Sequence, residues 1–280
     1  MTLRSDTVEV VIDPWRGGGI LAFKWRGIDV FRPHNGGDSP LDLACFPLIP
    51  FCNRIAKGCI SKRGQLRTLP AASRWGEPVH ALHGTGWISP WATKRVETDL
   101  AVLTFSGDGV LWPWVFDAEQ HFQMHKDGFT QSISITNRDD VAMPAGLGLH
   151  PYFSRAGATL ETGATGYWAT GPDRLPETHR SLKKEPRWFT KDWFDDCFTG
   201  CNDPVRLRWP THQLAIHASQ NLPFTHIYTP RGEDYFCMEP VSHIPNAVNS
   251  TLDSDETGIA NLEPGQSMKI DCRFQLEEPS

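Results

Sequence analysis

Four short stretches of the chain set polar side chains among prolines, glycines and aromatics. They are FPLIPFCNRIAKG with Asn53 and Arg54, HALHGTGW with His83, GLGLHPYF with His150, and CMEPVSHIPNAVN with Glu239. A carboxylate is ionised near neutrality and an imidazole can be protonated there, so Glu239 and His150 together could serve as a base and an acid. Pro151 steers His150 toward extended backbone, at a strand end or strand-to-loop junction from which the ring projects. Each residue alone also has a plainer reading. A lone histidine is more often a hydrogen-bonded core residue, and a glutamate before Pro240 can be an exposed strand-end acid. Arg54 can bond turn carbonyls, and His83 before Gly84 can cap a loop.

Other chemistries find less support. Eleven histidines invite a metal, but His121 and His125 lie in a strand pattern, where four residues span roughly 13 Å and cannot share an ion. Cys197 and Cys201, in CFTGC, lack a second pair of ligands nearby. We therefore expect no metal. No G-x-S-x-G elbow is present for a serine nucleophile. The glycines of WRGGGI precede no capped helix, which points to a turn and to no nucleotide cofactor. Seven cysteines, an odd and scattered set, show no disulfide framework. Cys45, Cys52 and Cys59 recur every seven residues, but the intervening prolines and Gly58 argue for small buried hydrophobes rather than an aligned helix.

The elements that must position these groups have a period of two. In MKIDCRFQL, Met268, Ile270, Cys272, Phe274 and Leu276 alternate with polar residues, which predicts a half-buried strand. HFQMH and FTQSISIT, joined through Asp127-Gly128, predict a hairpin. VEVVI, LAVLTF, QLAIHA and THIYT are further strand candidates. Few windows of ten residues escape Gly and Pro, so long helices are not expected. Many short antiparallel strands predict an all-β sandwich or barrel, read as one domain over residues 1–280. Residues 32–40, 171–187 and 241–258 read as long polar connections, which in compact proteins tend to be functional. The 27 basic residues against 33 acidic ones, net −6, offer no basic stripe for nucleic acid. The N-terminus has no leader-like segment and no stretch approaches a membrane span, so a soluble cytoplasmic protein is expected. Eleven tryptophans and fifteen phenylalanines suit an apolar-walled ligand pocket, and a β core nearly as well.

Together, and in this order between about residue 41 and residue 249, the four stretches resemble the aldose 1-epimerase (galactose mutarotase) family; FDDCFTG is a looser fifth match. The resemblance implies a β-supersandwich, in which large antiparallel sheets curve around an open, central sugar-binding cleft. It implies that His150 is the general acid and Glu239 the general base. It also implies that Asn53, Arg54, His83 and an aspartate of FDDCF contact the sugar. The alignment favours Asp195 over Asp196; neighbours on a strand point to opposite faces, so only one can reach the cleft.

Mutarotation needs one base, to remove the anomeric hydroxyl proton, and one acid, to protonate the ring oxygen; no metal or redox cofactor is required. The chain departs from galactose mutarotases at Thr85, Leu149 and Asn246, where they carry Gly, Asn and Asp. These changes alter the cleft wall without removing the acid or the base, and the pattern is closer to the family's bacterial branches than to a galactose-specific enzyme. The main competing readings are a non-catalytic carbohydrate-binding module on the same scaffold and an accessory domain of a lyase or hydrolase. A free aldose is the expected partner.

Overall fold

The computed structural model describes residues 1–189 and 193–279. As the alternation predicts, the architecture is all-β. One eight-stranded antiparallel sheet runs, in spatial order, through Ala92–Val96, Leu100–Asp108, Val115–His125, Gly128–Asn137, Ser267–Glu277, His212–Ala218, Val205–Trp209 and Thr159–Glu161. Val115–His125 shows why its sequence chooses this state. Phe116, Ala118, Gln120, Phe122 and Met124 are buried, while Asp117, Glu119, His121, Gln123 and His125 keep the outer face. There His121 Nε2 meets Glu119 Oε2 at 2.9 Å and His125 Nε2 meets Thr130 Oγ1 at 2.9 Å.

The expected hairpin forms with His125 opposite Gly128 across Lys126-Asp127. The glycine answers to more than the turn. Its φ is +149°, and a Cβ there would lie 1.8 Å from the Phe274 carbonyl oxygen on the adjoining strand.

The second sheet orders Pro176–Ser181, Gly166–Thr170, Asp195–Thr199, Phe224–Tyr228, Tyr235–Val241, Gly148–Leu149 and Pro47–Leu48, with Tyr152–Ser154 also paired to Tyr235–Val241. Both faces of its central strands are covered. Phe198, Ile227, Phe236 and Met238 pack toward the first sheet, and the ring contacts Phe236–Phe153–Phe31–Phe274 run between the two sheets at 5.1–5.5 Å. On the opposite face, Cys197, Phe224, Cys237 and Val241 join Phe46 and Trp87 in a second apolar cluster. This second face is the floor of the candidate site.

Two expectations change. Residues 171–187 are not one connection, because Pro176–Ser181 forms an edge strand; it is almost wholly exposed, so its residues carry no apolar alternation. Residues 241–258 hold two short helical turns, of which Ser254–Thr257 is the sole α-helical segment among the described residues. Among the described residues, no helix is long and apolar enough to cross a membrane.

Candidate active site

Three neighbouring strands of the second sheet supply the floor. In register, His226 stands opposite both Glu239 and Cys197, and Tyr228 stands opposite both Asp195 and Cys237. The period of two then puts Asp195, His226, Tyr228, Tyr235 and Glu239 on one face, where all five line a cleft of about 180 Å³. Asp196 faces the other way and accepts a hydrogen bond from Thr170 N at 2.8 Å. Glu239 lies inside its strand and is 1% exposed, so the strand-end surface acid is ruled out.

His150 enters from the strand end at Gly148–Leu149, its N–H donating to the Phe46 carbonyl at 3.0 Å. The glycine spacing of GLGLH reflects close approach: a Cβ on Gly146 would lie 1.9 Å from the His243 ring. The His150 imidazole stacks against Phe46 and Tyr152, with centroids 4.4 and 4.8 Å away. This packing fixes the ring plane with Nε2 3.2 Å from Glu239 Oε1.

The opposite wall comes from a short ladder in which Arg54 pairs with Leu82. Asn53 and His83 flank it, both at left-handed backbone, φ +56° and +58°. They lock together, since His83 N donates to the Asn53 carbonyl at 2.8 Å and Asn53 N donates to His83 Nδ1 at 3.2 Å. With Nδ1 accepting, the neutral ring carries its hydrogen on Nε2. Burial first, then the nearby His150, Arg54 and His226 charges, holds His83 well below its ordinary value. The residue thus caps its loop and also presents a donor to the cleft.

Arg54 bonds side chains rather than turn carbonyls. Its Nε donates to Glu77 Oε2 at 2.8 Å, its Nη1 to Asn53 Oδ1 at 3.1 Å, and its Nη2 lies 3.5 Å from Asp195 Oδ2. Burial alone would raise Asp195, but the His226 Nε2 bond at 2.9 Å and the charges of His226, Arg54 and Arg174 leave it below the usual carboxylate range. Glu77 is lowered in the same way, its desolvation outweighed by Arg54 and by the His80 and Val79 amides. The Glu77 loop is tied across the cleft mouth, because His80 Nδ1 accepts from Lys57 N and its Nε2 donates to the Asp173 carbonyl, each at 3.0 Å. Arg174, next to Asp173, lines the same cleft.

Burial dominates the central pair. It pushes Glu239 up to about 8, opposed in part by the His226 and Arg54 charges. It takes His150 down to about 3, helped by the His226 charge. The expectation from sequence of an ionised Glu239 beside a protonated His150 is therefore reversed in the free protein. Desolvation prevails, and the pair carries one proton at neutral pH.

Four buried polar atoms of the floor and wall have no hydrogen-bond partner in the protein: His150 Nδ1, Glu239 Oε2, Asp195 Oδ2 and His226 Nδ1. An unmet buried polar group costs about 1–3 kcal/mol, and four residues around one cleft mark a site organised for a polar ligand. Cys237 Sγ lies within 4.8 Å of the His150 and Glu239 ligand atoms. Burial and then the Glu239 charge hold its thiol well above the ordinary range, so that without a bound cation it is a neutral neighbour of the pair. A larger surface depression of about 580 Å³ near Lys62 and Arg138 is a weaker candidate. Its charges answer one another, with Lys62–Asp139 and Arg138–Asp117 both at 2.7 Å.

All six residues singled out from sequence line one cleft: Asn53, Arg54, His83, His150, Asp195 and Glu239. His226 and Glu77 were missed. THIYT reads as a strand, but nothing in it marks which face meets a ligand; Glu77, in WGEPVH, has the same Gly/Pro setting as the quoted stretches and lies three residues before HALHGTGW.

Comparison with known proteins agrees with the geometry. The family profile described as aldose 1-epimerase matches residues 1–275. The uncharacterized protein YphB of Escherichia coli (strain K12) is 27% identical over 277 residues, covering 93% of each chain. A galactose mutarotase-like protein of Clostridium acetobutylicum shares the fold with a TM-score of 0.86 at 17% identity, over 99% of this chain and 95% of that one. A GalM/aldose epimerase homologue from C. elegans does so with a TM-score of 0.83 at 15% identity, over 100% and 99%. With its profile matched almost from end to end and its antiparallel sheets shared, this chain belongs to the aldose 1-epimerase family.

Proposed function

We propose that the protein is a mutarotase, interconverting the α and β anomers of a free aldose by acid-base ring opening and reclosure. The observation that carries this reading is the buried His150–Glu239 pair, 3.2 Å apart with one unpartnered atom on each residue, in a cleft that Asn53, Arg54, His83 and Asp195 also line. Glu239 takes the proton of the anomeric hydroxyl while His150 gives one to the ring oxygen. The C1–O5 bond breaks, an open-chain aldehyde forms, and rotation about C1–C2 exposes the other carbonyl face. Reclosure returns both protons by the reverse path.

The single proton of the free pair suits this cycle. A hydroxyl donating to Glu239 favours its carboxylate, and a ring oxygen accepting from His150 favours the imidazolium. Substrate binding therefore drives the proton from carboxyl to imidazole, creating base and acid together. Arg54, Asn53, His83 and Asp195 orient the ring hydroxyls, which turns a loose encounter into a positioned one.

The test is polarimetry on freshly dissolved aldohexoses and aldopentoses, with and without EDTA. Acceleration of at least one sugar, unchanged by chelator, is expected. Sugar binding with no rate above buffer across the panel would replace this reading by the binding module. A chelator-sensitive rate restored by zinc would refute a metal-free pair.

A further inference from the structure

His226 has no part in the acid-base cycle just described, yet it occupies the middle of the cleft floor. It is 2% exposed and faces Glu239 directly across the strand pair. Its Nε2 is fixed on Asp195 Oδ1 at 2.9 Å, and Nδ1 has no partner in the protein. We propose that His226 is a positioning residue for this reaction: an imidazolium anchored on Asp195, it holds a positive charge against the base Glu239 and keeps that carboxylate available to the anomeric hydroxyl. The inference rests on the mutarotase reading of the site.

The groups around the ring determine its charge. Asp195 and Cys197 face it from one neighbouring strand, and Glu239 and Cys237 belong to the other. Asn53 Nδ2 lies 3.3 Å from Nε2; Arg54, His83 and His150 line the same cleft. Burial alone would lower His226, but the Asp195 hydrogen bond and the Glu239 and Asp195 carboxylates raise it above its ordinary value. The two acids thus outweigh desolvation and the opposing Arg54 charge. The coupling runs both ways, since the His226 charge draws both Glu239 and His150 downward. Asp195 anchors the ring and its own charge raises Glu239, but the His226 charge, directly opposite Glu239 in the strand pair, is the larger of the two influences. Without this cation the buried carboxyl would hold its proton more tightly and serve less well as a base.

The test uses His226→Gln, which removes the charge but keeps an amide N–H for Asp195. Infrared titration follows the C=O band of protonated Glu239, assigned by its disappearance in Glu239→Gln. The expected midpoint in His226→Gln lies higher than in wild type by roughly one pH unit or more, the effect of losing a nearby opposite charge. The alkaline limb of kcat/KM should move by the same amount. An unmoved band overturns the inference, as does a moved band with superimposable kcat/KM profiles in two active proteins. A wild type with no mutarotase activity sinks the proposed function, while the band still decides whether His226 acts on Glu239. If the variant does not fold, ring ¹⁵N NMR of wild type decides. Both His226 nitrogens protonated at neutral pH supports the inference, and a neutral ring overturns it.

Discussion

At the scale of single residues, the cleft works by removing charge from water and returning it selectively. His150 and Glu239 are driven toward their neutral forms by burial, to about 3 and about 8. In the proposed cycle the competent state is the pair with one proton, so kcat/KM should be bell-shaped. Below the lower value His150 takes a second proton and no base remains; above the upper value Glu239 loses the last proton and no acid remains. The sequence alone assigns the limbs the other way, with the acidic limb on the carboxylate and the basic limb on the imidazole. A measured acidic limb near the ordinary value of a glutamate, about 4.3, would favour that assignment and refute the desolvated pair. His150 and Glu239 were legible as candidates because each sits in a distinctive Gly/Pro/aromatic setting. His226 was not, because one histidine in a short strand looks the same whether it faces a ligand or a core.

At the scale of elements, legibility followed exposure. Val115–His125 and Ser267–Glu277 could be read because one face meets solvent and the other the core, giving a clean alternation. Tyr235–Val241, which carries Glu239, is covered on both faces and reads YFCMEPV without alternation. Pro176–Ser181 failed for the opposite reason, exposure on both faces. The hairpin at Gly128 was legible as a turn, but the pressure from the Phe274 carbonyl was not, since it comes from a strand nearly 150 residues further along the chain. That contact gives a prediction. Gly128→Ala combines positive φ with a backbone clash and should cost at least about 1–3 kcal/mol in denaturant unfolding. A variant with wild-type stability would show that the strand there moves aside freely.

At the scale of the whole molecule, the core that builds the cleft also limits the acid range. His243 is buried where the cleft wall meets the sheet; its Nδ1 donates to the Ile244 carbonyl at 2.7 Å and its Nε2 accepts from Cys52 N at 2.9 Å. Burial takes it down to about 4. A depressed folded value means that its stabilising contribution is complete above the unfolded value, about 6.5, and is lost as pH falls toward 4. The slope of unfolding free energy against pH in that window should therefore flatten by about one proton in His243→Gln, measured by urea unfolding. An unchanged slope would show that His243 titrates alike in both states. The same tightly packed frame holds His150 and Glu239 3.2 Å apart, and on that pair the functional account rests. The most direct test is the anomerisation rate of the best aldose near pH 6 in wild type, Glu239→Gln and His150→Asn, with folding checked by circular dichroism. We expect wild type to accelerate equilibration and each variant to lose at least about 10² in kcat, the lower range for a general acid or base. Folded variants that turn over at the wild-type rate would contradict the account.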